Sequence, residues 1–136
     1  MPYRKQDGRR GKVAFSIDAD IRMPGYGGRR AVVADADRNQ REALAGHLAG
    51  RGFQVSQTAD PLEALTLIGA EAPVVALLPL DHEGDAGDRA AALAAMLYPQ
   101  TRILMTGPRM PHLPFPVLPR PVDLGALDRW LDEAAA

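Results

Sequence analysis

Short apolar runs alternate with amphipathic stretches through most of this chain. Ala31-Val32-Val33-Ala34 is an uninterrupted apolar run ending in Asp35, the pattern of a buried strand that opens into a polar loop. From Arg38 to Arg51, Ala43, Leu44, Leu48 and Ala49 recur at helical spacing, and Gly50 and Gly52 mark the stop. A weak second strand is expected over Gln54 to Thr58. Asp60-Pro61 then supplies a helix cap with proline at the first helical position. Glu63 completes a capping-box pattern, and the helix is expected to bury Leu62, Leu65 and Ile68. Pro73 to Leu78 is the most uniformly apolar strand, as expected in the middle of a parallel sheet covered on both faces. After an acidic, Gly-containing loop from Asp81 to Gly87, a third helix over Arg89 to Tyr98 is expected to use Leu93, Met96 and Leu97. A fourth strand, Arg102 to Met105, ends at Thr106, and a short fifth one centres on Val117-Leu118. Asp123 caps a last helix carrying Leu124, Leu127, Trp130 and Leu131.

Alternating strands and helices predict right-handed βα units around one parallel sheet, an α/β domain over residues 29–136. A swivelled or sandwich arrangement is the alternative. Residues 1–28 read differently. The first twelve are polar, basic and glycine-containing, the composition of a flexible arm. Val13, Phe15 and Ile17 alternate within 13–21, which suggests a short extra strand or a linker, and Pro24-Gly25-Tyr26-Gly27-Gly28 reads as a connector. A chain of 136 residues accommodates one domain of this kind and not two.

Charge sharpens this division. The net charge of −1 averages two oppositely charged parts: residues 1–30 hold eight Lys/Arg against three acids, and the remainder holds eight Arg against fourteen acids. Both lysines, Lys5 and Lys12, lie in the arm. Arg4, Lys5, Arg9, Arg10 and Lys12 form a candidate polyanion-binding arm, which motivates an alternative function as a nucleic-acid-associated regulator. No helix-turn-helix, zinc-finger or aromatic RNA-binding pattern accompanies them, so a solubilising tail is favoured. The absence of Cys excludes disulfides, thiol catalysis and cysteine metal sites. No run is long and apolar enough for a membrane span, the N-terminus lacks a signal-peptide core, and a cytoplasmic location is expected. His47, His82 and His112 share no ligand spacing, so no metal site is expected. His47 and Arg51, four apart on the first helix, read as ordinary surface. No glycine pattern of a nucleotide-binding loop follows the first strand.

Ligands of open parallel sheets sit at the C-terminal ends of the strands. The residues that reach that edge are Asp35, Ala36, Asp37, Pro79, Asp81, Thr106 and Arg120. The segment Val33-Ala34-Asp35-Ala36-Asp37-Arg38-Asn39-Gln40-Arg41-Glu42 resembles the first strand and acidic loop of the response-regulator receiver domains, the chemotaxis-protein-like family. Asp60 to Leu65 is similar to that family's helix start. Pro73 to Gly87 resembles the strand that carries the phosphoacceptor and the loop after it. Met105-Thr106-Gly107 is similar to the hydroxyl motif, and Leu118-Pro119-Arg120-Pro121-Val122-Asp123 to the Lys-Pro motif. Five motifs fall in order over roughly residues 30 to 133. The resemblance implies a doubly wound five-stranded parallel sheet in the order 2-1-3-4-5.

It also implies a phosphorylation pocket: two acids and an acceptor Asp around Mg²⁺, with a Thr and a Lys that contact the phosphoryl group. Here Asp35 matches the first acid and Thr106 is retained. Ala36 falls where the second acid belongs, Pro79 where the acceptor belongs, and Arg120 where the Lys belongs. Asp37 is an acidic neighbour and Asp81 a loop acid two residues past the acceptor position. Proline has no side-chain oxygen to act as nucleophile, and two expected metal ligands are missing. A degenerate pocket is therefore expected, with an Asp35–Arg120 ion pair as a candidate filling.

Between Thr106 and Arg120 the family has a full helix. Pro108, Pro111, Pro114, Pro116 and Pro119 forbid one here, so that fourth helix is expected to be missing or reduced to a turn. Met110, Leu113 and Phe115 are then a candidate partner surface or a cover for the exposed core, and Leu127 with Trp130 is a candidate dimer face. The reading is a phosphorylation-independent signalling module, not an enzyme, with no cofactor. Its partners would be a histidine kinase, a separate output protein or a second copy of itself.

Overall fold

The computed structural model describes residues 29–81, 85–109 and 113–135. Five strands, β1 (Arg30–Ala34), β2 (Gln54–Thr58), β3 (Val75–Pro79), β4 (Arg102–Thr106) and β5 (Val117–Leu118), form one parallel sheet in the order β2-β1-β3-β4-β5. Four helices among the described residues connect or follow them: α1 (Arg38–Gly50), α2 (Pro61–Glu71), α3 (Ala86–Leu97) and α4 (Leu124–Ala135). The basic arm, the stretch 13–21, His82, Met110 and His112 lie outside the described residues.

Side chains alternate across a strand, so the apolar run of β1 divides between two cores. Ala31 and Val33 join Leu44 and Leu48 of α1, Leu77, Leu104 and Leu127 on one face. Val32 and Ala34 join Ala64, Ile68, Leu78, Met105 and the alanines of α3 on the other. Burial on both faces is why β1, β3 and β4 read as continuous apolar strings.

Several positions differ from the sequence reading. On α1 the buried residues are Leu44, Ala45 and Leu48, while Ala43 and Ala49 face out. α3 begins at Ala86 and turns Gly87, Ala90, Ala91 and Ala94 to the core, leaving Leu93, Met96 and Leu97 exposed at 39%, 71% and 55%. The small-residue stripe lets the helix lie close against β3, and the larger residues are rotated outward as a consequence. Leu62 on α2 is likewise 49% exposed. Asp60 caps α2 by accepting from the Leu62 amide, but Glu63 does not return to the Asp60 amide. Thr58 stands between them, accepting from the Asp60 amide through Oγ1 while its hydroxyl donates to Glu63.

Among the described residues no helix lies between β4 and β5. Leu113 and Phe115 from this proline-rich stretch pack half-buried on the core that α3 covers. They cover part of the apolar surface there. Leu127 is fully buried, which removes it from the dimer face expected there, and Trp130 packs half-buried against the same core.

His47 and Arg51 are not ordinary surface either. His47 Nε2 donates to Asp128 Oδ1 at 2.7 Å, and Arg51 donates to Asp128 at 2.7 Å and to Asp132 at 2.8 Å, tying α1 to α4. The hydrogen bond from Arg51, followed by that from His47, holds the Asp128 carboxyl below the usual carboxylate value. A depressed carboxyl contributes stability that is present in full above its unfolded value, near pH ~4, and lost as pH falls through the lowered folded value. Asp128→Asn should therefore lose stability relative to wild type at pH 6, with the gap closing as pH falls below ~4. Urea midpoints measured across that range check this.

Candidate functional site

The site is built where β1, β3 and β4 end side by side. β3 and β4 are in register from Val75↔Arg102 to Pro79↔Thr106, and Leu80 donates to the Thr106 carbonyl at 2.7 Å. Pro79 can sit there because its missing N–H falls at the strand's last residue. Asp35 follows β1 directly. The C-terminal edge of the sheet thus presents Asp35, Pro79 and Thr106 on three neighbouring strands.

Asp35 is 1% exposed. Its Oδ1 accepts from the Asp37 amide at 2.9 Å, and its carbonyl accepts from Arg41 Nη1 at 2.8 Å. Asp37 in turn caps α1 through the amides of Asn39 and Gln40. Asp35 therefore holds the turn that starts α1. Arg120 lies between two carboxylates: Nη1 donates to Asp81 Oδ1 at 3.2 Å, and Nη2 lies 3.6 Å from Asp35 Oδ2. The expected Asp35–Arg120 ion pair is present at 3.6 Å, beyond hydrogen-bond length, so it is a looser contact than a bidentate fork. Asp81, expected to be a solvated loop acid, is Arg120's hydrogen-bond partner, though its side chain remains mostly exposed. The Arg120–Pro121 peptide bond is cis, and the Val122 amide after it donates to Gln40 Oε1 at 3.2 Å, docking this loop on α1. Sequence reasoning missed Gln40 and Arg41 as supports, because neither carries a spacing that points to the loop it reaches.

Two buried side-chain oxygens lack a hydrogen-bond partner among the described residues, Asp35 Oδ2 and Thr106 Oγ1. They belong to the strands on either side of β3, whose last residue is Pro79. The proline supplies no polar atom between them. Removing a buried hydroxyl that has no partner relieves its desolvation cost. Thr106→Val is accordingly expected to be neutral or to stabilise by up to ~1 kcal/mol, measured by urea denaturation.

A cleft of about 240 Å³ opens at this edge, lined by Asp35, Ala36, Asp37, Ala59, Pro61, Pro79, Asp81 and Arg120. Its donor set does not suit a divalent cation. Ala36 and Pro79 offer no side-chain oxygen, and among the described residues no three His, Cys, Asp or Glu side chains are grouped to hold a metal ion. Mg²⁺ keeps near-octahedral oxygen coordination, which this set leaves largely unsupplied.

Strand order 2-1-3-4-5, an acid after β1, a hydroxyl residue at the end of β4 and a basic-Pro pair after β5 decide the fold. The chain folds as a response-regulator receiver domain. Solved receiver structures match it over most of its length. The signal receiver domain of the response regulator NarL from Mycobacterium tuberculosis is 27% identical, with 79% of this chain and 97% of that one covered and a TM-score of 0.65. A chemotaxis protein of Vibrio cholerae is 20% identical, with 79% and 99% covered and a TM-score of 0.69. A response regulator of Burkholderia pseudomallei, solved with a phosphorylated aspartic acid and a calcium ion, is 25% identical. It is covered over 66% of its length and 76% of this chain, with a TM-score of 0.65. No family model and no curated protein matches the sequence. The receiver fold here lacks a helix between β4 and β5 among the described residues, and Pro79 ends β3 in place of an acidic residue.

Proposed function

We propose that this receiver domain is a signalling module that works by binding another protein without being phosphorylated, and that it catalyses no reaction. The observation that carries the reading is Pro79, at the end of β3 and in register with Thr106. An acyl phosphate needs a carboxylate nucleophile there. Asp81 does not replace it: its carboxylate is engaged with Arg120, and in extended chain it would lie two residues, roughly 6–7 Å, beyond the acceptor position. Phosphoryl transfer depends on far tighter placement. With Arg120 holding Asp81 and facing Asp35, the pocket has one built-in charge arrangement instead of two states selected by a phosphoryl group. A histidine kinase or a separate output protein is the partner class that suits such a domain.

The test is affinity capture with the full-length protein, followed by binding of the purified partner with and without acetyl phosphate and MgCl₂. A stoichiometric complex whose affinity is the same in both conditions supports the reading. An affinity that changes with acetyl phosphate, or failure to find any stoichiometric partner, contradicts it.

A further inference from the structure

We propose that residues 13–21 of this chain dock on the open edge of β2 as a sixth strand, antiparallel to it. Among the described residues β2 ends the strand order, so only one of its sides is paired, to β1. Gln54 donates to the Arg29 carbonyl, and the Thr58 carbonyl accepts from the Asp35 amide. Backbone groups alternate in direction along a strand, so those of Val55 and Gln57 point away from β1 to the open side. Proteins blunt such edges with charge, proline or shortness. The opposite edge, β5, is two residues long and flanked by Pro116 and Pro119. β2 is five residues long and contains neither a charged residue nor a proline. It is the edge left able to take a further strand.

Residues 13–21 carry the matching pattern. Val13, Phe15, Ile17, Ala19 and Ile21 alternate with Ala14, Ser16, Asp18 and Asp20, a strict period of two over the whole segment. A segment of that period needs a ladder for its backbone, which the exposed side of α3 at Met96 and Leu97 does not offer. One face of the strand is apolar, and β2 has an apolar side to receive it. Val55 is half-buried against the core beneath α1. His47 and Arg51 turn one flank of α1 to α4, so the opposite flank, with Ala45 and Ala49, lies toward β2. Ala49 is exposed there and leaves room for larger side chains such as Phe15 and Ile17.

The joining chain allows this position, and charge sets the direction. Residues 22–29 can reach about 26 Å when extended, while two strand spacings, about 10 Å, separate β1 from the new place. Run antiparallel to β2, the segment ends beside the start of β1, and residue 13 stands at the C-terminal edge of the sheet. The basic residues from Arg4 to Lys12 then leave beside the exposed acids Asp37, Asp60 and Asp81. A parallel strand would bring them to the exposed Arg29, Arg30 and Arg102 at the other edge, where like charges repel. Pairing within the chain also covers an edge that would otherwise template association between copies.

The test attaches a nitroxide to the ¹⁵N-labelled full-length protein at Ala14→Cys or at Asp20→Cys, each the only thiol because the sequence has no cysteine. Both labels are expected to broaden the amides of β2 and to spare β5, with Thr58 affected most from position 14 and Gln54 most from position 20. The reverse gradient overturns the antiparallel direction, and broadening centred on α3 or spread evenly overturns the site. Hydrogen exchange without a label is the second readout. The Val55 and Gln57 amides should exchange at least about tenfold more slowly in wild type than in Phe15→Asp/Ile17→Asp, with β3 amides still protected to show that the domain is folded. Equal exchange in the two proteins overturns the inference. Spin-labelled protein at natural isotope abundance, mixed with ¹⁵N-labelled wild type, is expected to leave β2 sharp. Broadening there assigns the edge to a second copy and overturns pairing within one chain.

Discussion

Gly87→Ala and Gly107→Ala should each destabilise the protein by about 3 kcal/mol or more, the largest losses expected from single methyl additions. A Cβ at Gly87 would lie 1.7 Å from the Pro79 carbonyl oxygen, and one at Gly107 would lie 1.9 Å from the Leu80 carbonyl oxygen. Both obstacles are backbone, which cannot rotate away as a flexible side chain would. Gly107 also has φ +145°, where an alanine is strained whatever the space around it. The two glycines clamp the end of β3 from the start of α3 and from the exit of β4. Their replacement must therefore move Pro79 and Leu80, and with them the floor of the cleft. Urea denaturation gives the stability loss, and amide shifts at Asp35 and Asp81 report the displaced strand end. A Gly87→Ala protein of wild-type stability would show that α3 does not approach β3 this closely.

Leu127→Ala is expected to cost about 2–5 kcal/mol, because it opens a cavity between α4 and the sheet that the surroundings fill only in part. Leu127 is fully buried among Leu44, Leu48, Leu77 and Leu104. Met96→Ala removes a comparable side chain from α3 and should change stability by no more than ~0.5 kcal/mol, since that side chain stands mostly in solvent. The pair of midpoints, measured under one set of conditions, separates core from surface on two helices of the same domain. Equal losses would mean that α3 is rotated from the orientation described.

That contrast shows where the sequence was readable and where it was not. The sheet was legible because strands buried on both faces leave continuous apolar strings, as Ala31 to Ala34 does, and because Pro79 and Thr106 fall at strand ends on counting alone. The proline run after Thr106 correctly excluded a helix, since proline chemistry is local. The orientation of α3 was not legible. Gly87, Ala90, Ala91 and Ala94 share the period of an amphipathic face just as Leu93, Met96 and Leu97 do, and the choice between the stripes depends on how near β3 the helix must lie. The tie from His47 and Arg51 to Asp128 and Asp132 spans some 80 residues of sequence. Nothing in the spacing of His47 and Arg51 names a distant acid.

The candidate site divides in the same way. Asp35, Ala36, Pro79 and Arg120 were found by position along the strands, and all four line one cleft. How their charges are shared was not available from sequence. Arg120 could reach Asp35 or Asp81, and only the end of β3 and the docking of the Val122 loop on Gln40 decide that it hydrogen-bonds to Asp81 and faces Asp35 at a longer distance.

Addition of MgCl₂ and beryllofluoride to the ¹⁵N-labelled full-length protein tests the absence of phosphoryl chemistry most directly, because this mimic occupies a working acceptor pocket without needing a kinase. The expected spectrum is unchanged at Asp35, Asp81, Thr106 and Arg120. Saturable shifts clustered at those four residues would mean that a functional phosphorylation pocket survives in spite of Pro79, and the phosphorylation-independent reading would be wrong.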